Sequence, residues 1–383
     1  MKRNVAMTVI LVAAAAIGGC SDRGMHYLNS VPVDVDPTKA YTDARYTLRQ
    51  AAEDSEPETR AHALEAMAKA APMESGPLFK QALGDPSPLV RFAAAMAIGD
   101  TRYEPALEDL QNLARIGKGE RDRRVYPAIV YALFNLGDMS HVNDLVDLLR
   151  DKEPEVRANA ALVMGRLGEP SAIRPLKMLL DSERDENARF SLREALAVLG
   201  DPASVSMMES YARGYYLDLR LAAVPVLANE RSHDSLLLLR DLTNPRNPTR
   251  VRVLAADGLA RLGEVDEINY NMCLNSLVAP DKMMELGDGS DKIIIGNETD
   301  SLQRLAAMAL GNMGQPASVP YLHRLLREAD TGSVRVAAAM SLVQLLKPIV
   351  DPEPAHVTEA NDDITTPPPT QRRGNIHFAG GKD

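Results

Sequence analysis

The stretch that decides the fold is "DKEPEVRANAALVMGRLGEPSAIRPLKMLLD", residues 151–181. Nearly the same wording returns as "DPSPLVRFAAAMAIGDTRYEPALEDL" at 85–110 and as "TGSVRVAAAMSLVQLLKP" at 331–348. Aligned on the Val-Arg step, Arg60, Arg91, Arg157, Arg189, Arg220, Arg252 and Arg335 occupy one position. Tyr126 and Gln303 stand in for the arginine in two further units. Successive spacings are 31, 35, 31, 32, 31, 32, 51 and 32 residues. A fixed period of that size marks a solenoid, made by stacking one supersecondary unit on the next.

Each unit reads as two short helices. The first opens near the arginine, with a proline three residues earlier at Pro57, Pro88 and Pro154. Proline suits the first helical position, where its missing N–H costs nothing. Apolar residues then follow helical spacing, as in Val156, Ala160, Val163, Met164 and Leu167. Eleven residues past the arginine position stands a glycine: Gly137, Gly168, Gly200, Gly263 and Gly314. Glycine closes a helix by taking the left-handed conformation, and Pro170, Pro202 and Pro316 discourage continuation. A companion helix follows, "IRPLKMLL" or "VPYLHRLL". Helices this short are marginal alone and gain stability by packing on neighbouring units.

These residues resemble the HEAT repeat, in its short bacterial form known from phycobilisome-lyase-type proteins. The resemblance spans roughly residues 38–347 and implies an all-α fold: a right-handed α-solenoid of about nine helix pairs. It weakens in unit six, "LRLAAVPVLANERSHDSLLLL", which lacks the closing glycine, and in unit seven, where Pro248 lies four residues before Arg252. It further implies that the arginine positions, with Asp54, Asp85 and Asp151 six residues ahead of Arg60, Arg91 and Arg157, form a structural ladder tying turns to neighbouring units. The Val-Arg helices would line a concave face. Positions just off their core stripe, together with Phe134 on the same helices, make a candidate partner groove: Phe92, Met96, Tyr131, Phe134, Leu162, Phe190 and Leu221. Soluble repeats usually carry charge there, so an exposed apolar strip would be a partner site.

The amino terminus stands apart. "MKRNVAMTVILVAAAAIGGC" has a basic start at Lys2 and Arg3 and an apolar run from Val5 to Ile17, too short to span a bilayer comfortably. It reads as a signal peptide over residues 1–19. Gly18, Gly19 and Cys20 resemble a bacterial lipobox, which implies a diacylglycerol on the Cys20 thiol. Ser21 after the cysteine favours the outer membrane under proteobacterial sorting. Residues 20–37 would tether the lipid to the solenoid. Cys273, the other cysteine, reads as a buried small hydrophobe in "NYNMCLNSL". The net charge of −10 disfavours nucleic acid, which needs a basic footprint.

Two long spacings place insertions in the same type of turn: a basic one at 116–124 (Lys118, Arg121, Arg123, Arg124) and an acidic one at 280–300. Within the second, Gly287, Gly289 and Asp291 echo one calcium-binding nonapeptide, although Leu286 replaces a glycine and a polar hairpin accounts for the same residues. Neither a metal nor a cofactor is expected. Residues 348–383, rich in proline, glycine and polar residues, read as a disordered tail. Catalytic signatures are sparse. No histidine is followed by glutamate, and the nearest arrangement is His62 with Glu65. The expectation is therefore a membrane-anchored scaffold that binds another protein. A cryptic enzyme or lyase-like factor using His62 and Glu65 is the alternative, and a carbohydrate binder is disfavoured by the absence of tryptophan.

Overall fold

In a computed structural model, residues 35–115, 122–285, 298–351 and 378 are described, and all of them fall in one compact unit. The signal peptide, Cys20, most of the tether, the centres of both insertions with the calcium-like residues, and the tail past Asp351 except Phe378 lie outside them.

Among the described residues the chain is helical throughout, without strands. A first helix, α1 (Pro37–Ala51), precedes the first Val-Arg helix, α2 (Pro57–Ala70). From there the two kinds of helix alternate: α3 (Pro72–Ala82), α4 (Pro88–Thr101), α5 (Leu107–Arg115), α6 (Tyr126–Asn135), α7 (Asp144–Leu148) and α8 (Pro154–Leu167). Next come α9 (Ile173–Leu180), α10 (Glu186–Val198), α11 (Pro202–Arg213), α12 (Leu217–Glu230), α13 (His233–Leu242) and α14 (Thr249–Arg261). The series ends with α15 (Glu267–Val278), the short α16 (Pro280–Glu285), α17 (Glu298–Met313), α18 (Val319–Glu328) and α19 (Gly332–Val350). The last helix thus runs three residues past the expected limit of the repeats.

Helix ends follow from named residues. Gly137, Gly168, Gly200, Gly263 and Gly314 all take positive φ, between 69° and 93°. In units two and six the left-handed residue is an arginine instead, Arg102 and Arg231, at φ 51° and 61°. The helix stops there because of geometry, at a cost that glycine would avoid. At the other end, side chains of Asp185, Asp201, Ser232 and Asp266 accept backbone N–H groups that the first turn leaves unpaired.

The Val-Arg helices α2, α4, α6, α8, α10, α12, α14, α17 and α19 each pack on the next. They form the inner layer, with companion helices outside. Close approach within that layer needs small residues: a Cβ on Gly165 would lie 2.9 Å from Ala195 Cα, and one on Gly311 would lie 2.6 Å from Ser341 Oγ. A side chain at either position would force the helices apart.

The array closes on itself. Helix α19 packs against α2, and α1 lies against both α19 and α18. The two ends of the repeat series therefore meet, and α1 supplies an outer helix for the last unit. His323 Nε2 reaches Asp43 Oδ2 at 2.9 Å across this seam, and Lys39 Nζ reaches the same oxygen at 2.8 Å. Burial alone would raise the Asp43 carboxyl, yet hydrogen bonds from Lys39 and His323 hold it below the usual carboxylate range. Gly332, at the start of α19, has no room for a side chain, since a Cβ would lie 2.7 Å from Thr59 Cγ2 of α2. Helix α19 is long and apolar enough to cross a membrane by composition. Ten of its residues are buried, from Val334 to Leu346, and they serve as core.

The arginines occupy the turns. Arg60 Nη1 donates to the carbonyls of Asp54 and Ser55, at 2.8 and 3.0 Å. Its other nitrogens fork onto the Asp85 carboxylate of the next unit, at 2.9 and 2.8 Å. Asp85 Oδ1 also accepts Ser87 N–H, so one acid binds its own turn and the preceding unit. Arg157 repeats the pattern with Asp151 O, Lys152 O and the carboxylate of Glu183. Arg91 and Arg335 bond their own turns in the same way. In units six and seven the guanidinium reaches farther back, Arg220 to Ala212 O and Arg252 to Thr243 O, which is where the repeat departs in sequence. Arg189 pairs with Glu186, while its Nε is buried without a partner among the described residues. Of the substitutes, Gln303 donates to Leu277 O and Tyr126 donates to Asp144.

Candidate functional site: the inner face and its seam

The seven groove residues sit on the inner helices, but none is exposed. Met96, Tyr131 and Phe134 are buried, and Phe92, Leu162, Phe190 and Leu221 are half-buried. The reason is proximity. A Cβ on Gly99 would stand 2.7 Å from Tyr131 Cδ1, so the ring of Tyr131 lies over the neighbouring helix rather than in open space. Its hydroxyl donates to Asp100 at 2.5 Å, and burial together with Asp100 pushes the phenol up to about 12. Phe190 stacks on Tyr211 with centroids 5.9 Å apart, and the Arg193 guanidinium lies 5.8 Å from the Tyr211 ring centroid. An exposed apolar strip is therefore not what these residues form.

The inner face is polar instead, and most of its polar groups satisfy one another. Arg166 pairs with Asp100 at 3.1 Å and lies 5.8 Å over the Tyr131 ring, bridging α8 and α4 across α6. On the far side Arg261 bonds Asn229 and Asp257, Asp257 accepts from Asn312, and Asn312 accepts from Gln344. Glu194 is the exception, a carboxyl raised by burial alone.

At the seam a cleft of about 110 Å³ opens between α2, α17 and α19. His62, Glu65, Lys69, Arg304 and Ser333 supply its polar wall, with Met308 and Met340 among its apolar residues. The pair His62 and Glu65, visible in the sequence, is thus brought to a concave site. Arg304 and Ser333 were not singled out, because only ring closure places them beside α2. Arg304 follows Gln303, the residue standing in for the ladder arginine, and that adjacency was the one available signal. No group of histidine, cysteine, aspartate and glutamate side chains able to hold a metal ion occurs among the described residues.

Of the four cations in the first insertion, Arg123 and Arg124 are described. Arg123 reaches Asp151 at 2.8 Å, and Arg124 pairs with Asp122 and with Glu155. These two are engaged within the fold, and Lys118 and Arg121 lie outside the described residues. On the same type of turn, between α11 and α12, Tyr215 is 94% and Tyr216 71% exposed, with rings 5.9 Å apart and nearly perpendicular. Cys273 is free and fully buried, and burial pushes its thiol up. Phe378, from the segment expected to be disordered, is buried, and its N–H donates to Ser171 Oγ at 3.3 Å.

Comparison with known proteins places this arrangement. The chain is 30% identical over 118 residues to phycocyanobilin lyase subunit alpha of Picosynechococcus sp., covering 29% of this chain and 42% of the relative. It is 30% identical over 71 residues to epoxyqueuosine reductase of Bacillus subtilis, 18% of each. The chain thus spans less than half the length of either relative. Among solved structures, human deoxyhypusine hydroxylase in complex with glycerol aligns at 18% identity and a TM-score of 0.34, over 81% of this chain and 99% of that one. The CpcE–CpcF complex of phycocyanin lyase from Nostoc sp. aligns at 17% and 0.39, over 68% and 98%. At these scores neither likeness carries a functional argument. The model for HEAT repeats matches residues 46–126, 118–197 and 292–356, more than half of the sequence, and the chain belongs to the HEAT-repeat family.

Proposed function

We propose that the chain is a non-catalytic scaffold that binds another protein and is held at a membrane of the bacterial envelope through a lipid on Cys20. The observation that carries the binding reading is the exposed pair Tyr215 and Tyr216 on the turn edge. Two neighbouring tyrosines stand open on one turn, and tyrosine is enriched among the residues that dominate protein interfaces. The membrane reading draws on the "AIGGC" junction and the apolar run before it. No nucleic acid is included, in keeping with the charge of −10.

A photo-crosslinking residue at position 216, introduced in intact cells, is expected to give a discrete protein adduct. One placed on the inner face away from the seam cleft, at Gln344, should not. Adducts from position 344 alone would move the binding surface into the ring. Cys20→Ala should shift the protein out of the detergent phase, and persistence there would sink the anchoring proposal. A second reading, a cryptic enzyme or lyase-like factor, draws on the His62–Glu65 pair lining the seam cleft. Its test is whether His62→Ala abolishes an activity while leaving the position-216 adduct intact.

A further inference from the structure

Besides Glu194, the charged groups of the inner face without a described protein partner gather in the seam cleft. Arg304 and His62 are half-buried, Lys69 and Glu65 are exposed, and none of the four has an ion pair or hydrogen bond to another described residue. His62 Nδ1 is moreover cut off from solvent and left without a partner. A buried ring nitrogen without a partner is costly, and native folds rarely leave one so unless a ligand or water takes the bond. The Arg304 guanidinium offers five donors to the cleft with no acceptor from the described residues, whereas Arg60, Arg157, Arg166 and Arg261 are paired.

We propose that this cleft binds a carboxylate group, with Arg304 as its anchor. Two cationic side chains, Arg304 and Lys69, face one acidic side chain, Glu65, so the formal charge of the wall has room for one further carboxylate. The planar fork of arginine matches a carboxylate in bidentate geometry, and Ser333 adds a hydroxyl from α19. Met308 and Met340 then receive a short hydrocarbon portion, for which methionine is an adaptable surface. The space of about 110 Å³ takes the carboxylate and a few further heavy atoms, and the cleft is open, so a longer occupant extends into solvent. Two sources share this chemistry: a free short-chain carboxylate, or the carboxyl-terminal residue of a peptide. Because the polar wall comes from α2, α17 and α19, the site exists only in the closed ring, and an occupant ties both ends of the array together. It rests on the cleft alone and stands apart from the scaffold reading.

The test is ¹³C-methyl NMR of the methionines in the folded protein lacking residues 1–20, titrated with butyrate, N-acetyl-leucine, N-acetyl-leucinamide and inorganic phosphate. Butyrate and N-acetyl-leucine are expected to move the Met308 and Met340 methyl signals saturably, and the amide should not. Arg304→Gln should weaken binding at least tenfold with the other methionine signals unchanged. Lys69→Gln, a change at an exposed position, should weaken it by a smaller factor. Tighter binding of N-acetyl-leucine than of butyrate assigns the site to chain ends, and equal or weaker binding assigns it to free carboxylates. Binding of the amide or of phosphate as tight as that of the carboxylates, no shift with any probe, or an unchanged affinity in Arg304→Gln would each overturn the proposal.

Discussion

Glu183→Gln removes one negative charge from a turn and leaves its shape. Glu183 accepts Arg157 Nε and Nη2 at 2.6 and 2.7 Å, and its side chain is only 3% exposed. It also accepts the N–H groups of Arg184 and Asp185, bonds that glutamine can keep. The hydrogen bonds from Arg157 outweigh burial and hold the carboxyl down to about 2, against an ordinary 4.5. That difference corresponds to about 3 kcal/mol of stability at neutral pH. The folded value lies below the unfolded one. The contribution is therefore complete above 4.5 and fades as the pH falls through 2, with roughly half lost by pH 3. Urea unfolding of the two proteins at pH 7, 5 and 3 should give a gap of about 3 kcal/mol that narrows to about half. Native-state hydrogen exchange at α8 and α10 should report the same opening locally. A gap below about 0.5 kcal/mol at pH 7, typical of an exposed pair, would refute the reasoning. So would a gap that stays constant down to pH 3.

Gly165→Val should destabilise by about 2 kcal/mol or more, because the new side chain meets the Ala195 backbone, and thermal unfolding measures it. Asp43→Ala should remove about 1–2 kcal/mol from the seam, visible as faster amide exchange in α19 with α8 unaffected. Cys273 should resist alkylation in the native state and react at an ordinary rate once denatured, since burial disfavours its thiolate. Phe378→Ala should loosen amide protection at the start of α9 around Ser171, by an amount consistent with about 1–3 kcal/mol of lost burial.

The period, the proline starts and the closing glycines made the helix pairs legible, because each is a local signal carried by one residue type. Arg102 and Arg231 end helices without glycine, and nothing at those positions announces it. The inner face was harder still. Position five after the arginine is apolar at Met96, Tyr131 and Leu162, and counting turns places it away from the outer layer. What counting cannot supply is how near the neighbouring inner helix comes, and that distance buries Tyr131 over Gly99. The seam cleft shows the same limit. His62 and Glu65 share a helix and so can be paired on paper, whereas Arg304 and Ser333 join them only through the summed rotation of every unit between.

An open solenoid can gain or lose a repeat by duplication or deletion, since each unit answers only to its neighbours. A ring has no such freedom. Nine inner helices sharing one full turn rotate by about 40° per unit, and an eight- or ten-membered version would need every interface reset at once. The meeting of α19 with α2 therefore makes repeat number a fixed quantity in this protein, checked at a single joint. Insertions are tolerated where they leave that sum unchanged, as between α16 and α17, since α17 still packs on α14 on one side and on α19 on the other.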